Sequence, residues 1–164
     1  MKRCKYCDSL IVIGGVGRGK LRYCNAQHER AAYYLERSEA IPASVIDDHV
    51  REVHGGQCPR CSGRGPVDVF SSHRVWSALL FTTWSSREHV CCRSCSIRSQ
   101  LADTLFSLLL GWWGFPWGFI VTPIQITRNL WAIAFPPNYN RPSDKLRKRV
   151  SINLAQTTGN YSKI

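Results

Sequence analysis

The residues of this chain that can do chemistry are its cysteines. Cys4-Lys5-Tyr6-Cys7, Cys58-Pro59-Arg60-Cys61 and Cys92-Arg93-Ser94-Cys95 are CxxC steps, and Cys24 stands ahead of His28. Two thiolates separated by two residues can wrap one ion from a single tight turn, and sulfur and imidazole are donors that tetrahedral zinc takes. The spacing predicts two zinc ions. Cys4, Cys7, Cys24 and His28 hold one, and Cys58, Cys61, Cys92 and Cys95 hold the other. Cys91 competes with Cys92, but Cys92 and Cys95 have the better spacing, which leaves Cys91 as a buried spare thiol. Both sites are filled by four protein ligands, whereas catalytic zinc keeps an open position, so no enzymatic activity is expected. Asp47, Asp48 and His49 form no acid–base cluster, because adjacent side chains on a helix diverge. A catalytic dithiol over 91–95 survives only if those thiols carry no zinc.

The 164 residues suffice for one medium domain or two small ones, and the two cysteine blocks favour two small metal-centred units. Units of that size bury too little apolar surface to be stable alone, so bound metal supplies folding free energy. A disulfide framework is the weaker reading: no apolar signal-like stretch precedes Cys4, and CxxC spacing suits metal better. The compartment implied is reducing. Net charge is +11. A Cys3His zinc site changes this by −1 and a Cys4 site by −2, so the metallated chain carries about +8 and invites an anionic partner.

The elements that must position these ligands follow. Residues 1–40 read as knuckle, hairpin and helix. Residues 10–13 form a strand, the glycine-rich 14–19 a turn, and 20–23 the returning strand; Cys24 begins a helix with His28 one turn on. GGVGRG lacks P-loop spacing and its Lys-Ser/Thr ending. In this order the module resembles a treble-clef zinc finger. Pro42 and Gly55-Gly56 bound a linker helix within 41–56, whose His49 and His54 are surface residues. Residues 57–100 read as a zinc ribbon with both knuckles on hairpin or strand ends. Cys58 to Gly65 matches CxxCxGxG and resembles one unit of the cysteine-rich domain of J-protein chaperones. The match occurs once, so chaperone function does not carry over. Residues 67–70 alternate like a half-buried strand, and 75–84 are rich in β-formers.

Residues 101–135 carry only Asp103 and Arg128 as charges. At ~1.5 Å per residue, 101–112 cover about 18 Å and cannot span a hydrocarbon core of ~30 Å, while 117–135 nearly could. The breakers Gly111, Gly114, Pro116 and Gly118 predict a membrane-associated helical hairpin bent at 114–116. One kinked span over 104–126, or a soluble core pair, are the alternatives. Basic residues flank both ends, which places both on the cytosolic side. Trp112, Trp113, Phe115, Trp117, Phe119 and Trp131 are the expected membrane contacts. The GWWGFPWG segment over 111–118, with Thr122, Pro123 and Asn129, is similar to a GWWGxPWG-type segment of uncharacterised bacterial zinc-ribbon membrane proteins. That resemblance implies the bacterial inner membrane. Residues 136–164 read as a basic, mobile tail.

The expected fold class is thus small α+β, metal-stabilised: a treble-clef-like module, then a zinc ribbon, then a hydrophobic helical hairpin. The expected function is a zinc-binding, membrane-associated adaptor or scaffold that meets an anionic membrane surface and a protein partner, with no small-molecule substrate. The alternative is a soluble, cytoplasmic zinc-finger protein that binds nucleic acid through Arg18, Lys20, Arg22, Arg60 and Arg64. A basic surface alone is a weak sign of that, and no recognition helix is evident.

Overall fold

The computed structural model describes residues 2–11, 14–79, 81–138 and 140–161, with only the backbone of Arg18, Phe81, Trp84 and 159–161. The fold is a small mixed α/β one, with five helices and two-stranded sheets among the described residues. It divides into two compact units, Met1–Val50 with Arg147–Ile164, and Arg51–Leu146.

In the first unit, β1 (Lys2–Arg3) pairs antiparallel with β2 (Leu10–Ile11), and β3 (Val16–Arg18) with β4 (Leu21–Tyr23). Val12 and Ile13 of the predicted strand lie outside the described residues. Helix α1 (Ala26–Ser38) begins after Cys24, not at it. Asn25 is the better cap, and its side-chain oxygen accepts from the His28 N–H at 2.9 Å. Helix α2 (Ala43–Gly55) follows Pro42, as predicted.

The expected mobile tail is instead helix α5 (Asp144–Tyr161). Ser143 caps it by accepting from the Leu146 N–H at 3.2 Å, and Leu146, Val150 and Ala155 are buried. The polar composition of 156–160 hid that stripe. Within the first unit, Arg147 pairs with Asp47 at 2.8 Å. Lys148 donates to the Tyr6 carbonyl at 2.8 Å and stands 3.8 Å from that ring's centroid.

The second unit is built on one long hairpin, β5 (Val67–Ala78) with β6 (Phe81–Cys92), in register from Val67↔Cys92 to Ala78↔Phe81. The segments 67–70 and 75–84 are parts of this one ribbon of strands, and Val67 to Phe70 are all buried, not alternating. Helices α3 (Arg93–Leu110) and α4 (Trp117–Ala134) pack on each other and on β5. Residues 111–116 turn between them, so the kinked span over 104–126 does not form; the Phe115–Pro116 peptide is cis. The helices are amphipathic, not uniformly apolar. Among the described residues no helix is long and apolar enough to cross a membrane.

Among the described residues strand β5 pairs with β6 alone, so its other edge needs partners. Polar side chains of the helices supply them. Gln100 Nε2 donates to the Ser71 carbonyl at 3.1 Å, and Ser107 Oγ accepts from the Val75 N–H at 3.1 Å. Asn129 closes both groups of His73, accepting its N–H at 2.8 Å and donating to its carbonyl at 2.7 Å. Arg74 pairs with the buried Asp103 at 2.6 Å. At the far end the Phe115 N–H donates to the Leu79 carbonyl at 3.1 Å. Gly114 is required there, because a Cβ would lie 2.6 Å from Thr82 Oγ1 and 2.8 Å from the Ser77 Cβ.

Candidate metal centres and an apolar tip

Each predicted ligand set converges. The ligand atoms of Cys4, Cys7, Cys24 and His28, and those of Cys58, Cys61, Cys92 and Cys95, lie within 4.8 Å of one another in each set. Four sulfurs at about 2.3 Å from a tetrahedral zinc are about 3.8 Å apart, and a nitrogen ligand lies slightly nearer. The spacings Cys7 Sγ to Cys24 Sγ, 3.6 Å, Cys61 Sγ to Cys92 Sγ, 3.7 Å, and Cys4 Sγ to His28 Nδ1, 3.6 Å, match that size. Both sets are compatible with a zinc ion.

The two centres share one local plan. In each, a knuckle closes on itself: Asp8 N–H donates to the Cys4 carbonyl, and Ser62 N–H to the Cys58 carbonyl, both at 2.8 Å. The residue after each second cysteine, Asp8 or Ser62, takes a left-handed φ of 57° or 56°. The buried first thiol then accepts an N–H from the third ligand, Cys24 to Cys4 at 3.4 Å and Cys92 to Cys58 at 3.2 Å. The last two ligands flank a helix start: Cys24 precedes the cap of α1 and His28 lies in its first turn, while Cys92 caps α3 and Cys95 lies in its first turn. Helix N-termini favour thiolate. Here the expected ribbon needs correction. Its closing pair opens a helix and does not sit on a second strand-end knuckle. The order in 58–110 is knuckle, hairpin, helix, where the spacing predicted a ribbon closed by a second knuckle.

The donor sets have the electrostatics of ion sites. Burial opposes ionisation of Cys4, but the N–H of Cys7, the His28 ring and the Cys24 and Tyr6 N–H groups outweigh it and lower its thiol to about 6. Burial of Cys58 is likewise outweighed, by N–H groups of Cys92, Arg60 and Cys61, and its thiol also falls to about 6. Burial, then Cys7 and Cys4, pushes Cys24 up to about 12. The bond to Cys61, then burial and the Cys92 and Cys58 sulfurs, pushes Cys95 up to about 12. One thiolate in each set thus suppresses the next, a repulsion that a dication at the centre removes. Cys91 is outside the set. It is fully buried with Cys58, Val67 and Phe70, and burial, then Cys58, raises it to about 11.

Among the described residues, His49 and His54 belong to neither ligand set. They face the carbonyls of Val45 and Val67, both at 2.9 Å through Nδ1. Sequence reasoning missed Asn25, Lys148 and the polar residues that close the β5 edge. Only Asn25, just before a helical run, carried a signal.

All six predicted membrane contacts are exposed: Trp112, Trp113, Phe115, Trp117 and Phe119 at the end of the second unit away from its metal centre, and Trp131 towards the C-terminal end of α4. Leu79 at the strand turn joins them at 82% exposure. No family model, curated protein or solved structure matches this chain.

Proposed function

We propose that the chain is a zinc protein that docks into one leaflet of a membrane and serves as an adaptor, with no catalytic activity of its own. The observation that carries this is the inverted polarity of the second unit. Gln100, Asp103, Thr104, Ser107, Thr122, Gln125 and Asn129 are buried, while Leu105, Leu109, Phe119, Ile120, Ile124 and Leu130 on the same helices are exposed. In water the two faces would be exchanged. In lipid, apolar side chains face outward and every backbone group needs an internal partner, which is what the covered β5 edge supplies.

The depth of the uncharged region supports one leaflet. Arg128 lies about 16 Å from the start of α4, and Arg74 about 16 Å from Leu79, by the rises of helix and strand. Arg87 is about 20 Å from the start of β6. Asp103 comes nearer the tip but is buried against Arg74. Half a hydrocarbon core is about 15 Å. The Trp113 indole N–H already donates to the Leu109 carbonyl at 2.8 Å, so it can enter lipid without losing a partner. Thiolate ligands and basic flanks on both sides of 101–135 fit the cytosolic face, the bacterial inner membrane if the GWWGxPWG likeness holds. We read both metal units as treble-clef-like and the metal as zinc in each.

A second reading has its own support. A groove of about 410 Å³ in the first unit is lined by Lys2, Lys5, Lys20 and Arg22, with Arg3 paired to Asp8 at 2.7 Å. That charge suits a phosphodiester strand, and the Arg18 side chain of the predicted set lies outside the described residues. Four phosphate contacts give a slope of about −2.8 in log affinity against log salt for single strands.

One preparation of full-length protein separates the readings. Two zinc ions per chain with detergent dependence support the adaptor. Free solubility with salt-steep oligonucleotide binding supports the second. A chain with two ions that neither partitions into vesicles nor needs detergent refutes membrane docking.

A further inference from the structure

A groove of about 520 Å³ in the second unit is lined by Ser71, His73, Arg128, Trp131, Phe135 and Lys145, among others. Its two cations come from different elements, Arg128 from α4 and Lys145 from the first turn of α5. Among the described residues Arg128 has no hydrogen bond or ion pair, and Lys145 has only a neutral partner, Ser71 Oγ at 3.2 Å. Both line the groove together with His73. After burial, Arg128 and then Lys145 are what hold the His73 imidazole below its ordinary value, against Asp103. Asp144 is the one acid among the lining residues, so the groove keeps a positive excess. Its apolar wall is the pair Trp131 and Phe135, with ring centroids 4.4 Å apart and both rings exposed.

We propose that this groove binds the phosphate of an anionic lipid headgroup, with Arg128 and Lys145 on the phosphate and Trp131 and Phe135 against the glycerol and upper acyl chains. The proposal rests on membrane docking by the tip, which puts Arg128 at headgroup level, about 16 Å from the start of α4. Paired charge and aromatic wall are the two halves of an amphiphile's own chemistry: an anion at the surface and hydrocarbon below it. A free phosphate would use the cations but leave the rings exposed to water.

The test is co-sedimentation of the full-length zinc-loaded protein with vesicles of phosphatidylcholine alone and of phosphatidylcholine with phosphatidylglycerol. The wild type should prefer the anionic vesicles. Arg128→Gln with Lys145→Gln should lower that preference about fivefold per charge, roughly 25-fold together, and leave binding to neutral vesicles unchanged. Arg87→Gln with Arg98→Gln removes equal charge from exposed sites elsewhere in the unit and should cost much less. Equal losses in the two pairs would mean a diffuse field and overturn the site. Equal binding of wild type to both vesicles refutes the headgroup site while membrane docking stands; binding to neither ends both. A phosphorus NMR titration with inorganic phosphate covers the other source. Saturation without vesicles, lost in the Arg128 and Lys145 pair, would assign the groove to a soluble anion and overturn the lipid. Circular dichroism should find the exposed-site variants folded.

Discussion

Replacing Trp113 and Phe115 together by serine tests the docking tip most directly. Both lie on the turn between α3 and α4, 70% and 74% exposed, so the fold does not depend on burying them. Moving a whole aromatic side chain of this kind out of water contributes about 1.5–3 kcal/mol. Scaled by exposure, each ring contributes about 1–2 kcal/mol on insertion and the pair about 2–4 kcal/mol. That is roughly a 30-fold to 1000-fold fall in the vesicle partition coefficient. The assay is vesicle co-sedimentation over a range of lipid concentration, with zinc content and far-ultraviolet circular dichroism as controls. Both controls should match wild type, because neither side chain reaches a metal centre or the β5 edge. A folded, zinc-loaded variant that partitions like wild type would refute insertion of the tip. The exposed rings would then have to be covered by something other than lipid.

Three further outcomes are expected. Asn129→Leu leaves the buried His73 N–H and carbonyl without partners and should destabilise the second unit by about 2–5 kcal/mol, read as a lower denaturant midpoint. Cys58→Ser should lower metal content from two ions to one by elemental analysis, since each ligand set belongs to its own compact unit, and a strong chelator should unfold wild type at both centres. Burial first, then Arg128 and Lys145, lower the His73 imidazole below its ordinary value, against Asp103, so its folded pKa lies below the unfolded value. The unfolded chain then binds more protons in acid, so this contribution to stability is complete above about pH 6.5 and is lost as pH falls through the folded pKa. Wild type should therefore lose more stability on acidification than His73→Gln, and parallel pH profiles would dismiss the effect.

How much was legible before any coordinates depends on the range of each interaction. The knuckles and the closing ligand pairs are short-range objects, set by spacing within a turn, and the two ligand sets read from CxxC and Cys24–His28 are the ones that converge. The choice of Cys92 over Cys91 was readable for the same reason, since neighbours on a strand point to opposite faces. The bend at 114–116 was equally local, written in glycine and proline. What misled was composition standing in for contacts. The polar end of α5 hid the stripe from Leu146 to Ala155, and the strand-like look of 67–100 concealed that Cys92 caps a helix.

The spacing of donor residues and the position of chain breakers therefore came from the amino-acid sequence alone, because each is decided by a few bonds of backbone. Which way the long helices face came only from tertiary structure. Asn129 meets His73 across 56 residues, and Ser107 meets Val75 across 32. An unpaired strand edge demands hydrogen bonds wherever the chain can bring them. That demand turned the polar faces of α3 and α4 inward and left their leucines and tryptophans outside.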